Sequence, residues 1–552
     1  MRHFKKGYLI YFFMFVAAIL IFQSCSKDDK VYEQTRLFRP VLNSELKSKL
    51  NTIIVDLAKI KQAVSYTIEI SLDSFKTAPI YKFTTEKNNL VIDDTVLGEE
   101  LAYNTLYQVR VTGNAADQQY NSRDAFVGSV RTERLPSIML LPRAFDVTDV
   151  KARIRWEPAG EPVDEIRTFA ATDITLKNRL ASFPVSAAQN TAGEIIIQSL
   201  TPATKYIVAI YSNKKLRGFL EYSTLVKGVY PGDPNVIDLT QNEDPAALTS
   251  IFSTATNGSI ILLKKGTRYN IPATLLGTSI TIKGVYDLTE AKAELYSTSD
   301  MKIAAGVSID LTFDDIKIVG SDPGAVYVLN LNNSGTATNI NTLLFKNCIL
   351  TSMRGIARIR ADCFIKNFIV DNCIVYNIGN YGIFTTDTDG ANKAAIDNIK
   401  LLNSTFYQMT IGFTSRQNSK TFIIDACTFS EFSETGQSTF RYRGPAGSNQ
   451  ISDGLTISNT IWGTGWDRAS SGNKSIAFLL AGLASTNISV TNTWATSDFA
   501  PSGTTAMPGL PSLTYNGPAS KLWVDLAKGD FNFADTGFGG KGSSGDPRWR
   551  VK

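Results

Sequence analysis

Leu344-Phe345-Lys346-Asn347-Cys348-Ile349 and Ile369-Val370-Asp371-Asn372-Cys373-Ile374 are two copies of one pattern, and its recurrence decides the fold. The pattern returns as Leu401-Leu402-Asn403-Ser404-Thr405-Phe406, as Ile424-Asp425-Ala426-Cys427-Thr428-Phe429, as Ile457-Ser458-Asn459-Thr460-Ile461 and as Val490-Thr491-Asn492-Thr493-Trp494. Each copy alternates apolar and polar residues, the signature of a half-buried strand. A residue that accepts a left-handed bend follows, because the short Asn amide can make local hydrogen bonds at positive φ. A second short strand comes after the bend. A unit this small cannot bury its own apolar face, so neighbouring units must stack into one continuous core. From Asn347 to Asn492 the spacing varies between 23 and 33 residues, which disfavours helical repeats of fixed length and predicts coils with unequal loops. A right-handed parallel β-helix satisfies these demands better than a large sandwich with irregular strands.

At 552 residues the chain exceeds what one core can hold. With 56 basic and 51 acidic residues, its bulk charge gives no reason to expect nucleic acid as a partner. His3 is the single histidine and lies in a leader, so the remainder has no imidazole for Ser-His-Asp or Cys-His catalysis or for His-ligated zinc. Of Cys25, Cys348, Cys363, Cys373 and Cys427, three occupy equivalent places in the repeat and read as a stack of small apolar groups inside the solenoid. No Cys-x-x-Cys spacing points to metal.

Residues 1–24 carry Arg2, Lys5 and Lys6 ahead of an apolar run from Tyr8 to Phe22, too short to span a bilayer and suited to export. Gln23-Ser24-Cys25 with Ser26-Lys27-Asp28-Asp29 resembles the loose lipobox and acidic export tag of Bacteroidetes-type surface lipoproteins. That resemblance implies lipidation at Cys25, a linker over 25–36, and an outer-membrane, cell-surface location held by a lipid anchor. Two segments of similar size follow, 37–134 and 135–227. Leu101-Ala102-Tyr103-Asn104-Thr105-Leu106-Tyr107 in the first and Leu200-Thr201-Pro202-Ala203-Thr204-Lys205-Tyr206 in the second resemble the tyrosine corner of fibronectin type III sandwiches. Trp156 fits the buried Trp of such a core, and the first segment has no counterpart.

Residues 228–245 form a turn-rich link. Asp244-Pro245 is expected to open a short helix through about Ala255. With the strand ending in Gly266-Thr267-Arg268-Tyr269, this helix resembles the first, capped coil of pectate-lyase-like β-helices, assigned here to 246–500. Residues 501–552 resemble a domain of unknown function at the tail of surface lipoproteins from glycan-utilisation systems. Trp523, Phe531, Phe533 and Trp549 are expected to plug the last coil. The predicted class is therefore all-β, two fibronectin type III-like sandwiches followed by a right-handed parallel β-helix.

Strand parity puts Arg358 with Arg360, and Arg441 with Arg443, on one face, and Arg416 falls at the corresponding place in another coil. Coils lie about 4.8 Å apart, so these five side chains are expected to share one outer groove. Guanidinium forks suit the carboxylates or sulfates of a polymer. Trp466, in a Gly-rich loop, is the exposed candidate for stacking on sugar. The expected function is binding of acidic, uronate-containing polysaccharide within a glycan-utilisation system, with an outer-membrane glycan transporter as partner and no nucleic acid.

A polysaccharide lyase or hydrolase of the pectate-lyase-like class is the alternative, with Lys366, Arg416 or Tyr442 as base, and an adhesion protein without glycan ligand is a third reading. No cofactor is expected. Ca²⁺ is the one candidate, and Asp387-Thr388-Asp389-Gly390 reads as a plain turn rather than a calcium loop.

Overall fold

The computed structural model describes residues 35–134, 136–390, 392–445, 447–476, 478–501 and 507–550. The chain is all-β. In the first sandwich Lys47–Lys49, Thr52–Asp56 and Asn89–Ile92 form one antiparallel sheet. Tyr81–Thr85, Ser65–Ser71, Leu106–Asn114 and Ala125–Arg131 form the other. Alternation aims Ile53, Val55, Ile68, Ile70, Val109 and Val111 into a common core. Ala102 donates its backbone N–H to the Tyr107 hydroxyl at 2.9 Å, the tie expected of a tyrosine corner.

The second sandwich repeats the plan with the four-stranded sheet Arg179–Pro184, Glu165–Ala170, Lys205–Ser212 and Lys215–Ser223, and the pair Lys151–Arg155 with Glu194–Gln198. Trp156 is buried and bridges to Met139. In the first sandwich Leu57, fully buried, bridges in the same way to Leu42. Leu57 thus fills the place for which the sequence offers no Trp.

The solenoid is built from parallel sheets. Ten strands stack in order from Val236–Leu239 to Ile488–Thr491 on one face. After each of these strands from Ser308–Asp314 onward the chain turns at a left-handed residue: Asp315, Asn347, Asn372, Asn403, Ala426, Asn459 and Asn492 all have φ between 46° and 56°. The six predicted bends are there, and Asp314-Asp315 supplies a seventh that a search for Asn passes over. The amides form a ladder along the corner. Asn372 donates to Asn347 at 2.7 Å, Asn347 to Asp314 at 3.0 Å, and Asn492 to Asn459 at 2.8 Å.

Beyond the bend, Ile349–Ile359 and Ile374–Thr386 are long strands that run through two faces of the coil. Elsewhere the second and third faces are separate strands, as in Thr405–Met409 and Phe413–Ser415. Inside, Phe313, Phe345, Phe368, Phe384, Phe413 and Phe440 contact one another in succession, with centroids 4.9 to 6.3 Å apart. Cys348, Cys373 and Cys427 are buried free thiols just after the bend, as the repeat predicts.

The helix covering the first coil spans Leu248–Thr254 and buries Leu248, Ile251 and Phe252 against the solenoid core. It begins later than expected, because Asp244 caps the Ala246 N–H at 2.9 Å in the preceding turn.

Ala426 is the misfit of the corner, a Cβ-bearing residue without a side-chain amide at φ 54°. Ala426→Gly is expected to raise stability by about 0.5–1 kcal/mol, since glycine carries no steric penalty in this region. Denaturant unfolding measures it, and a loss of stability would show that the bend is unstrained.

Leu513–Thr514 continues the last coil and Met507 and Leu510 join its core, but Trp523, Phe531, Phe533 and Trp549 do not plug it. They fold back along the outer side of the solenoid. Gly545 donates to the Asn459 carbonyl, Asp546 N–H to Thr428 Oγ1 at 2.9 Å, and Arg548 to the Asn372 carbonyl at 2.9 Å. Trp523, Phe531 and Phe538 bury themselves with Tyr407 and Ile461, flanked by Ile374 and Trp494. The row Ile374, Thr405, Thr428, Ile461 and Trp494 therefore points outward beneath this tail, while Phe406, Phe429 and Trp462 fill the interior. An apolar outer row needs a cover, and the tail is that cover.

Candidate functional site

The third face of the solenoid carries the arginines. Parallel register aligns Asn330, Arg358, Thr385, Thr414 and Arg441 in one row across successive coils. Two residues further along each strand comes a second outward row. Arg360, Asp387, Arg416 and Arg443 each donate a backbone N–H to the coil before, to Leu331, Ile359, Thr386 and Ser415 respectively. All five predicted arginines thus lie in two adjacent rows spanning four coils, about 4.8 Å apart.

The rows are not purely cationic, which corrects the expectation of an uninterrupted ladder. Asp387 stands among the arginines and gathers three of them. Arg358 Nη2 lies 2.5 Å from its Oδ2, and Arg416 Nε and Arg443 Nη2 lie 3.3 and 3.4 Å from its Oδ1. Asp389 pairs with the other end of Arg416. Buried Gln417 fixes the turn that bears both carboxylates, donating to the Thr388 and Gly390 carbonyls at 2.6 and 2.8 Å. Arg360 reaches Asn330 at 3.4 Å, and Arg441 is exposed.

Two residues unmarked by the sequence reading belong to the same surface. The Tyr381 ring lies 4.5 Å from the Arg358 guanidinium and 4.7 Å from that of Arg354. Such stacking fixes the direction of a long, flexible side chain. Arg354, four residues before Arg358, was within reach of the sequence argument. Tyr381 was not, because its strand offers no charge pattern.

The electrostatics favour an excess of positive charge. Burial alone would raise the Asp387 carboxyl. The hydrogen bond from Arg358 and the charges of Arg358, Arg416 and Arg443 outweigh that and hold it below the usual carboxylate range. Burial lowers the Arg443 guanidinium, and so do its neighbours Arg416 and Arg441, beyond what Asp387 and Asp389 restore. Burial would lower the Arg358 guanidinium too, but the hydrogen bond to Asp387 raises it, so the crowding of cations falls at Arg443.

The other predicted residues lie elsewhere. Trp466 is half-buried and its backbone bridges to Glu434, which precedes the strand Ser438–Tyr442 that carries Arg441, with Arg468 5.3 Å over its ring. It is not part of the arginine rows. Tyr442 points inward, fully buried against Ser419, so it cannot act as a base on an external polymer. Lys366 is exposed on the first face, in Cys363–Asp371. Two carboxylates outside the rows are held by local bonds, Asp425 accepting from Ser458 and Asn459, and Asp467 from backbone N–H groups of its own loop.

Asp387 and Asp389 direct their oxygens at guanidinium groups. Among the described residues no group of three or more His, Cys, Asp or Glu side chains is arranged to hold a metal ion. Cys25 and the leader lie outside the described residues. Among the described residues no helix is long and apolar enough to cross a membrane.

Residues 267–409, within the solenoid, match the family model described as a domain of unknown function (DUF4957). No curated protein matches the chain. Among solved structures, the chicken CNTN1 FN1-FN3 domains are 14% identical, with 35% of this chain and 69% of that one covered at a TM-score of 0.15. The central fibronectin-III array of RIM-binding protein is 16% identical, with 36% of this chain and 63% of that one covered at a TM-score of 0.12.

Proposed function

We propose that this chain is a lipid-anchored cell-surface protein that binds acidic polysaccharide along the arginine rows of its solenoid. One observation carries the reading: five guanidinium groups on three of four successive coils face the same side, with Asp387 and Asp389 the only ion-pair partners they have among the described residues. A long anionic chain laid along the axis can meet one coil after another, and each contact is individually modest but adds to the rest. The sequence around Cys25 supports the anchor, and the sandwiches serve as a stalk. An outer-membrane glycan transporter is the partner in keeping with this role.

The full chain is expected to be retained on immobilised polygalacturonate and hyaluronan ahead of a neutral glucan, with retention falling as salt rises. Arg441→Ala combined with Arg443→Ala should weaken binding about tenfold, from the loss of two surface charge contacts. Equal retention on all three polymers, or unchanged binding by the double variant, would overturn the assignment.

A further inference from the structure

The charges on the arginine rows follow an order along the solenoid axis that bears on which acidic polymer fits. Going coil by coil, the register aligns Arg358 with Arg360, then buried Thr385 with Asp387, then buried Thr414 with Arg416, then Arg441 with Arg443. One coil in this run is thus anionic, flanked on both sides by cationic ones. Asp389, more than half exposed, adds a second negative charge beside that coil.

We propose that the coils of Arg358, Asp387 and Arg416 select a polysaccharide in which acidic sugars alternate with neutral, hydroxyl-bearing ones, and that Asp387 is the residue that imposes the alternation. This rests on the acidic-polysaccharide reading given above. An extended chain of pyranose rings advances by about one coil rise per ring, and coils repeat every ~4.8 Å. An acidic group over Arg358 and Arg360 therefore leaves the next ring over Asp387 and the following one over Arg416. A carboxylate on the middle ring meets a carboxylate, and like charges at contact distance repel. A hydroxyl on that ring donates to Asp387 instead.

Acceptor capacity is there to receive it. A carboxylate offers about four lone-pair sites. Asp387 uses one on Oδ2 in the close contact with Arg358, while Arg416 and Arg443 stand further off, 3.3 and 3.4 Å from Oδ1. Gln417 fixes the backbone beyond Asp387, at Thr388 and Gly390, and the contact with Arg358 holds the carboxylate itself in place.

The test compares the full chain on hyaluronan, where glucuronate alternates with N-acetylglucosamine, and on polygalacturonate, where every ring is acidic, at matched ionic strength with dextran as the neutral control. The native chain should bind hyaluronan about fivefold more tightly per disaccharide, the effect of avoiding one like-charge contact. Asp387→Asn, nearly the same shape, should abolish that preference by strengthening polygalacturonate binding. Equal or tighter binding of polygalacturonate by the native chain overturns the inference while leaving acidic-polymer binding intact. An undiminished preference in a folded Asp387→Asn protein also overturns it. Retention on neither acidic polymer beyond dextran removes the underlying reading as well. The native comparison needs no variant, so it decides even if the substitution impairs folding.

Discussion

Trp523→Ala is expected to destabilise the solenoid by about 3–5 kcal/mol, the usual cost of removing a large buried aromatic. Trp523 is 1% exposed although it lies in the tail and not in a coil. Its ring meets Phe531 at 5.2 Å edge-on and lies so close to Gly463 that a Cβ there would stand 2.8 Å from it. The glycine gives the tail its seat, and the indole fills a space that solvent would otherwise enter. Denaturant unfolding followed by intrinsic fluorescence and circular dichroism measures the loss. A change below about 1 kcal/mol, the size of a surface substitution, would show that the tail only rests on the solenoid.

Asp546→Ala should cost about 3 kcal/mol, through groups stranded without their partner. The Asp546 carboxylate is 1% exposed and accepts from Thr405 Oγ1 at 2.8 Å, from the Arg548 guanidinium at 2.9 Å and from the Arg548 backbone N–H at 2.9 Å. Trp549 Nε1 donates to the same Thr405 hydroxyl at 2.8 Å. Burial raises this carboxyl above its ordinary range against the opposing pull of Arg548. Truncation removes the acceptor and leaves the Thr405 hydroxyl and Arg548 to find water at a covered edge. Faster hydrogen exchange across residues 544–549, together with the lowered midpoint, is the expected result. Native-like protection of those amides would place the anchoring in the aromatic contacts alone.

The repeat was legible because a left-handed bend admits so few residue types. Asn347, Asn372, Asn403, Asn459 and Asn492 mark it openly, and Ala426 was found only through its neighbours. Asp315 went unread because Asp meets the same backbone demand under another letter. Arginine parity was equally readable, since strand alternation is local. The role of Asp387 was not, because it depends on which residue of one coil lies beside which residue of the next, and unequal loops hide that register. Trp466 looked exposed from its Gly-rich surroundings, yet Glu434 and Arg468 draw it against the surface. The aromatic content of the tail was plain, but its seat combines Tyr407, Ile461 and Gly463 with Thr405, Thr428 and backbone carbonyls, and nothing in the sequence links these to the tail.

Stacked repeats ordinarily behave as a one-dimensional array in which each unit touches only its neighbours and the ends can fray one at a time. The returning tail breaks that rule, since Arg548 grips the coil of Asn372 while Ser544 contacts that of Asn492. Coils far apart in the series are thereby stapled by a single strap, so this portion of the rod should melt as one block instead of unzipping.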